Sequence, residues 1–145
     1  MLIRPCGLWV EGGRLLTMRY QYGDQDRFNL PGGNQESGEE IRAGLVREFR
    51  EELRVVVEPG DLLWTAETMA GGREVLHLLF EIKSLSGHPQ INPQETTAED
   101  LVWLDADTLH YAPLYPAVGP PLADWMAGKK KTETYLGQVF QEWID

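Results

Sequence analysis

The strongest constraint on this 145-residue chain is a change of hydrophobic period across a glycine turn. Before it, apolar residues come in short runs, and Pro31-Gly32-Gly33 ends the run Arg27-Phe28-Asn29-Leu30. Proline gives a strand ladder no donor, and glycine admits backbone angles that other residues avoid. After it, Ile41, Leu45, Phe49 and Leu53 recur every fourth residue, which predicts an amphipathic helix over 39–54. Ser37, Glu39 and Glu40 put a capping hydroxyl and acidic groups at the helix start, where the dipole favours them.

The rest of the chain reads mostly as strands. Leu2 to Val10 and Arg14 to Tyr20 flank Glu11-Gly12-Gly13 and suggest a hairpin, followed by a polar loop from Gln21 to Asp26. Runs at 55–57, 62–68 and 74–82 are rich in β-branched and apolar residues. A polar, proline-containing connection over 84–97 leads to a last core strand at 101–104 and a helical turn near 105–109. Four prolines (113, 116, 120 and 121) punctuate the C-terminal stretch, where a short helix is expected over 122–127 and a strand over 135–140. Strands interleaved with helices predict an α/β sandwich with a mixed sheet, as one domain over 1–145.

Charge narrows the partners. Thirteen Lys and Arg against 23 Asp and Glu give a net charge of -10, which repels nucleic acid and anionic membranes. A small polyanion is still admissible when a bound cation dominates the local field. The one cysteine, Cys6, excludes an internal disulfide and a Cys-rich zinc site. No run is apolar enough for a signal peptide or a span, so the expectation is a soluble chain, cytoplasmic if bacterial. Lys129-Lys130-Lys131 reads as a solvated turn.

The chemistry concentrates on the helix. Glu48, Glu51 and Glu52 stand at i, i+3 and i+4 and project from one side, where like charges repel by a few tenths of a kcal/mol per pair. Arg47, four residues before Glu51, is placed to brace one of them. Glu-Glu pairs are also common on solvated faces, so the helix alone does not decide for a metal site. The adjoining Gly32 and Gly33 let backbone approach a ligand, and oxygen donors without His or Cys suit Mg²⁺, with Mn²⁺ as the alternative.

These residues resemble a known family. Gly33, Glu39, Arg47, Glu48, Phe49, Glu51, Glu52 and Val55 stand at the spacings of the Nudix box, led in by Leu30-Pro31-Gly32-Gly33. One position departs: Arg54 stands where the family usually has a glycine that ends the helix. An extended helix or a cationic cap on its carbonyl end is expected there. Gln35 is polar where relatives often carry an apolar residue. The resemblance implies a Nudix α/β/α sandwich and metal-dependent hydrolysis of a nucleoside diphosphate linked to another moiety. The substrate would be a nucleoside triphosphate or a nucleotide derivative. It implies Glu48, Glu51 and Glu52 as metal ligands, with the Gly32 carbonyl in addition, and Arg47 as the residue that orients them. Gly33 and Glu39 would line or support the substrate loop, and a homodimer is expected. The general base is left open among Glu51, Glu52, Glu95 and Glu99. The rival is a Nudix-fold sensor that binds nucleotides without cleaving them.

Substrate choice falls to residues outside the box. Arg4, Arg19 and Arg27 are candidates for phosphates; Trp9, Tyr20, Phe28, Trp64 and Tyr111 are candidates for stacking on a base. The stretch 67–73 lacks the proline or tyrosine that marks some family subgroups, which weakens an ADP-ribose or dinucleoside-polyphosphate assignment. His77, in an apolar strand, and Cys6 are expected as packed core residues.

Overall fold

Side-chain alternation along the central strands decides the layers. The structure, a computed structural model, describes residues 1–141; residues 142–145, part of the domain expected over 1–145, lie outside the described residues. In β3 (Arg14–Tyr22), Leu15 and Leu16 point to opposite faces, as do Leu79 and Phe80 in β6 (Arg73–Ser86). Leu16 and Phe80 meet Leu45, Phe49 and Leu53 of α1 (Ile41–Leu53). Leu15 and Leu79 meet Leu109 of α2 (Ala106–Leu109) and Leu122 and Ala123 of α3 (Gly119–Met126). The result is an α/β/α sandwich, with α1 on one side and α2 and α3 on the other.

The middle layer is two mixed sheets. β1 (Leu2–Leu8) runs parallel to β6, β6 antiparallel to β5 (Val56–Ala70), and β5 parallel to β9 (Tyr135–Gln138). In the second sheet, β3 pairs antiparallel with β2 (Val10–Glu11), β4 (Gln25–Asn29) and β7 (Asp100–Leu104). β4 also runs parallel to β8 (Leu114–Tyr115). The glycine turn joins the sheets: Cys6 bridges Gly32, and the Gly7 amide donates to Pro31 O at 2.9 Å. Gly7 also makes room for the helix, because a β-carbon there would stand 2.7 Å from the Phe49 ring and 2.8 Å from Ile82.

Several elements differ from the sequence expectation. The runs at 55–57 and 62–68 belong to one strand, β5, whose register slips around Pro59 and Leu62. Proline and glycine in the intervening Glu58-Pro59-Gly60-Asp61 produce irregular pairing rather than a loop. The polar loop expected over 21–26 contracts to Gly23-Asp24, because the Gln21–Asp26 and Tyr22–Gln25 pairs extend the β3–β4 hairpin. The helix cap is Glu40, whose carboxylate accepts from the Arg42 and Ala43 amides, and not Ser37. α3 starts at Gly119, earlier than expected, with Pro120 and Pro121 in a first turn that needs no amide donors. β8 is too short for its alternation to be legible, and β9 stops at Gln138.

Candidate active site

Arg54 neither extends α1 nor caps it with its guanidinium. It adopts the left-handed conformation itself (φ 58°, ψ 35°) and closes the helix with its amide on Arg50 O at 3.1 Å. The geometry expected of a glycine is kept by a residue that pays for it in backbone strain. The exit of the acidic helix is therefore unchanged.

Arg47 organises the carboxylates. Its Nε and Nη2 donate to both oxygens of Glu39 at 2.7 and 3.2 Å, while Nη1 lies 3.0 Å from Glu51 and 3.1 Å from Glu48. A planar guanidinium can do this; a lysine could not. Hydrogen bonds from Arg47 hold the Glu39 carboxyl below its ordinary range. Glu39 also lies against Gly44, where a β-carbon would stand 2.6 Å from its Oε1. Both Glu39 oxygens are thus engaged by Arg47, across the junction of loop and helix.

The remaining carboxylates are crowded and partly dry. Glu48 is 13% exposed and lies over Gly33 so closely that a β-carbon there would collide with its carboxylate. Burial outweighs the Arg47 contact and raises the Glu48 carboxyl above its ordinary range. Burial, then the neighbouring Glu48 charge, pushes Glu52 up to about 8. Among the described residues no three His, Cys, Asp or Glu side chains form a ready cage for a metal; Glu48 and Glu51 are turned onto Arg47 instead. The donor chemistry nonetheless fits a hard divalent cation. Glu52 and Glu48 are packed carboxylates whose mutual charge a cation would relieve.

Gly33 also belongs to a cationic cleft of about 220 Å³, shared with Gly32, Arg4, Arg27, Arg73 and Tyr115. Arg27 is held rigidly. Its guanidinium stacks on Tyr22 and Tyr115 at 4.8 and 4.7 Å and donates to Asn29 Oδ1 and the Tyr22 hydroxyl. Arg4 donates to Leu30 O at 2.8 Å and lies 5.1 Å from the Tyr115 ring, with Nη1 buried and unpartnered. A second, open cleft of about 400 Å³ brings Glu95 and Thr96 beside Glu52 and Tyr20.

Two comparisons decide the family. A family model described as the NUDIX domain matches residues 6–126. The chain is also 31% identical over 119 residues to the CTP pyrophosphohydrolase of Escherichia coli, covering 81% of this chain and 84% of that protein. The chain belongs to the Nudix hydrolase family. Solved structures agree. The E. coli ORF135 protein superposes with a TM-score of 0.73 at 26% identity, over 88% of this chain and 89% of that one. A MutT NUDIX hydrolase from Burkholderia pseudomallei does so with 0.64 at 25%, over 73% and 84%. Nudix hydrolases as a family act on small nucleotide derivatives and generally use divalent metal ions.

The Nudix site sorts the other candidates. Arg4, Arg27, Gly33 and Tyr20 line the cationic cleft. Arg19 is instead paired with Asp26 at 3.3 Å, Trp64 is buried edge-on to Trp125, and Phe28 and Trp9 pack against the two cores. Tyr111 is exposed and lines neither cleft. Glu99 is exposed, and its amide donates to Arg19 O, outside the cleft that holds Glu95. His77 and Cys6 are core residues as expected. Burial lowers His77 to about 3, its Nε2 meeting the Thr68 hydroxyl, and raises the Cys6 thiol to about 11. Sequence reasoning missed Asn29, Arg73 and Tyr115. Of these, Tyr115-Pro116 offered an aromatic–proline signal, whereas Arg73 reaches the cleft only through the β5–β6 hairpin. No helix among the described residues is long and apolar enough to cross a membrane.

Proposed function

We propose that this Nudix enzyme hydrolyses the phosphoanhydride bond of a nucleoside triphosphate or related nucleotide, using Mg²⁺, with Mn²⁺ able to replace it. The observation that carries the reading is that opposite charges flank one turn: Glu48 lies on Gly33, and Gly33 lines the arginine cleft. Crowded carboxylates beside guanidiniums suit a polyanion that arrives with a cation. The CTP pyrophosphohydrolase relative makes CTP the first probe.

In this reading Glu48, Glu51 and Glu52 hold the metal, with the Gly32 carbonyl as a further ligand. When bound, the ion neutralises phosphoryl charge and polarises the P–O bonds. Arg47 keeps the carboxylates aimed, and its junction with Glu39 sets the start of the helix against the turn. Arg4, Arg27 and Arg73 receive phosphate oxygens or the acceptor edge of a base, with Tyr115 as the apolar wall. Glu95, across the open cleft from Glu52, takes a proton from the attacking water. The water oxygen bonds to phosphorus, the bridging P–O bond breaks, and its electron pair leaves with the departing phosphate or pyrophosphate. The enzyme would work as a single domain over 1–145, as a homodimer, on a cytoplasmic nucleotide pool.

The test is a nucleotide panel assayed for phosphate and pyrophosphate with Mg²⁺ and with EDTA, on wild type and Glu52→Gln. Turnover should require the metal, and the variant should lose about 100-fold or more in kcat. Its fold should be intact, because a charge is removed and little volume changes. Wild-type turnover in Glu52→Gln, or full activity in EDTA, contradicts the reading.

A further inference from the structure

An α-helix leaves its last four carbonyls without partners inside the helix. In α1 these belong to Arg50, Glu51, Glu52 and Leu53, and only the first is served by the adjoining residue, through the Arg54 amide. The other three are satisfied by one distant segment. Asn92 Nδ2 donates to Glu51 O at 2.9 Å, the Asn92 amide donates to Glu52 O at 2.9 Å, and the Gln90 amide donates to Leu53 O at 3.0 Å. The same asparagine starts the next turn. Its Oδ1 accepts from the Gln94 amide at 3.2 Å, and its carbonyl accepts from the Glu95 and Thr96 amides at 3.0 and 3.2 Å. Thr96 is then tied at 2.8 Å to the hydroxyl of Tyr20, on β3. Arg54 Nη2 reaches Asn92 Oδ1 at 3.3 Å.

We infer that Asn92 is a positioning residue: it fastens the 90–97 turn to the helix end that carries Glu51 and Glu52, and so fixes Glu95 opposite Glu52. The inference rests on the proposed hydrolase reading. It adds that the Asn92 side-chain amide supplies one of the three bonds that hold the loop to the helix end, beside the backbone bonds from residues 90 and 92. The backbone bonds from residues 90 and 92 to Leu53 O and Glu52 O do not depend on the side chain at 92 in the variants below, whereas the Nδ2 bond to Glu51 O does. Asp at 92 keeps the oxygens that hold Gln94 and Arg54 but lacks the donor to Glu51. That donor is the side chain's own share of the coupling between the two elements.

Two measurements test this on the full-length chain. The first is a kinetic cycle of Asn92→Ala, Glu95→Gln and the double variant, with CTP and Mg²⁺, alongside Asn92→Asp. Asn92→Ala should lower kcat roughly 10- to 100-fold with KM changed less than about twofold. Asn92→Asp should not restore it, and the double variant should be no slower than the slower single variant. Losses that multiply in the double variant, near-wild-type turnover in Asn92→Ala, or near-wild-type turnover in Glu95→Gln each overturn the inference. The second is amide hydrogen exchange without substrate. Exchange at Glu95 and Thr96 should rise at least about tenfold in Asn92→Ala while the amides of Leu45 to Phe49 keep their protection. Unchanged exchange at Glu95 and Thr96 overturns the inference by itself, whether or not the enzyme turns over. A wild type inactive on every nucleotide is a different outcome: it removes the hydrolase reading and, with it, any role for Asn92 in catalysis.

Discussion

At the scale of single residues, the site stores its function as electrostatic discomfort. Glu52 ionises in the unfolded chain near 4.5 but in the fold only near 8, because burial and the Glu48 charge oppose it. The folded state therefore binds more protons between those values. The stability that Glu52 contributes is complete below pH 4.5 and is lost as pH rises through 8. His77 works the other way: its fold-lowered value near 3 means stability present above 6.5 that is lost as pH falls toward 3. Glu52→Gln leaves the histidine effect in place and removes the first. In EDTA the variant should match wild type near pH 4.5 and exceed it by roughly 2–4 kcal/mol near pH 9, as read from urea midpoints. A stability difference that does not change with pH would show that Glu52 is not held in this environment. The residues that make this site were legible as a motif, since eight positions fall in one short segment. Their partners Asn29, Arg73 and Asn92 were not, because only folding brings them to it from elsewhere in the chain.

At the scale of elements, α1 was legible almost to its ends because a strand that buried Ile41, Leu45, Phe49 and Leu53 would bury Arg47 and Glu51 on the same face, whereas a helix does not. Its termini were not, because caps depend on which side chain turns back onto the backbone. Glu40 rather than Ser37 does so at the start. At the exit, Arg54 holds a conformation that costs an L-residue about 1–2 kcal/mol. Arg54→Gly should therefore raise stability by roughly 0.5–1 kcal/mol, after the loss of the exposed bond to Asn92 and the added freedom of the unfolded glycine. A lower urea midpoint in Arg54→Gly would mean that the guanidinium contact outweighs the backbone strain. β5 shows the opposite limit of sequence reading. Pro59 and Gly60 interrupt the alternation but not the strand, because the long antiparallel partner β6 carries the pairing past them.

At the scale of the molecule, the sheets, α1 and the glycine turn bring opposite charges to the two sides of Gly33 on a chain of net charge -10. The layers follow from alternation in β3 and β6. The layering was legible as a class, whereas the division into two sheets was not, since pairing partners leave no local signature. If the acidic helix is a cation site, metal must bind the folded protein in preference to the unfolded chain and raise its thermal midpoint. The most direct measurement is a Mn²⁺ titration of wild type and Glu48→Gln/Glu52→Gln, followed calorimetrically, with and without a non-hydrolysable nucleoside triphosphate. The account predicts saturable binding in wild type, tightened by the nucleotide, and a loss of at least about tenfold in affinity in the double variant. Equal affinity in both proteins, or no saturable binding to wild type, would contradict it.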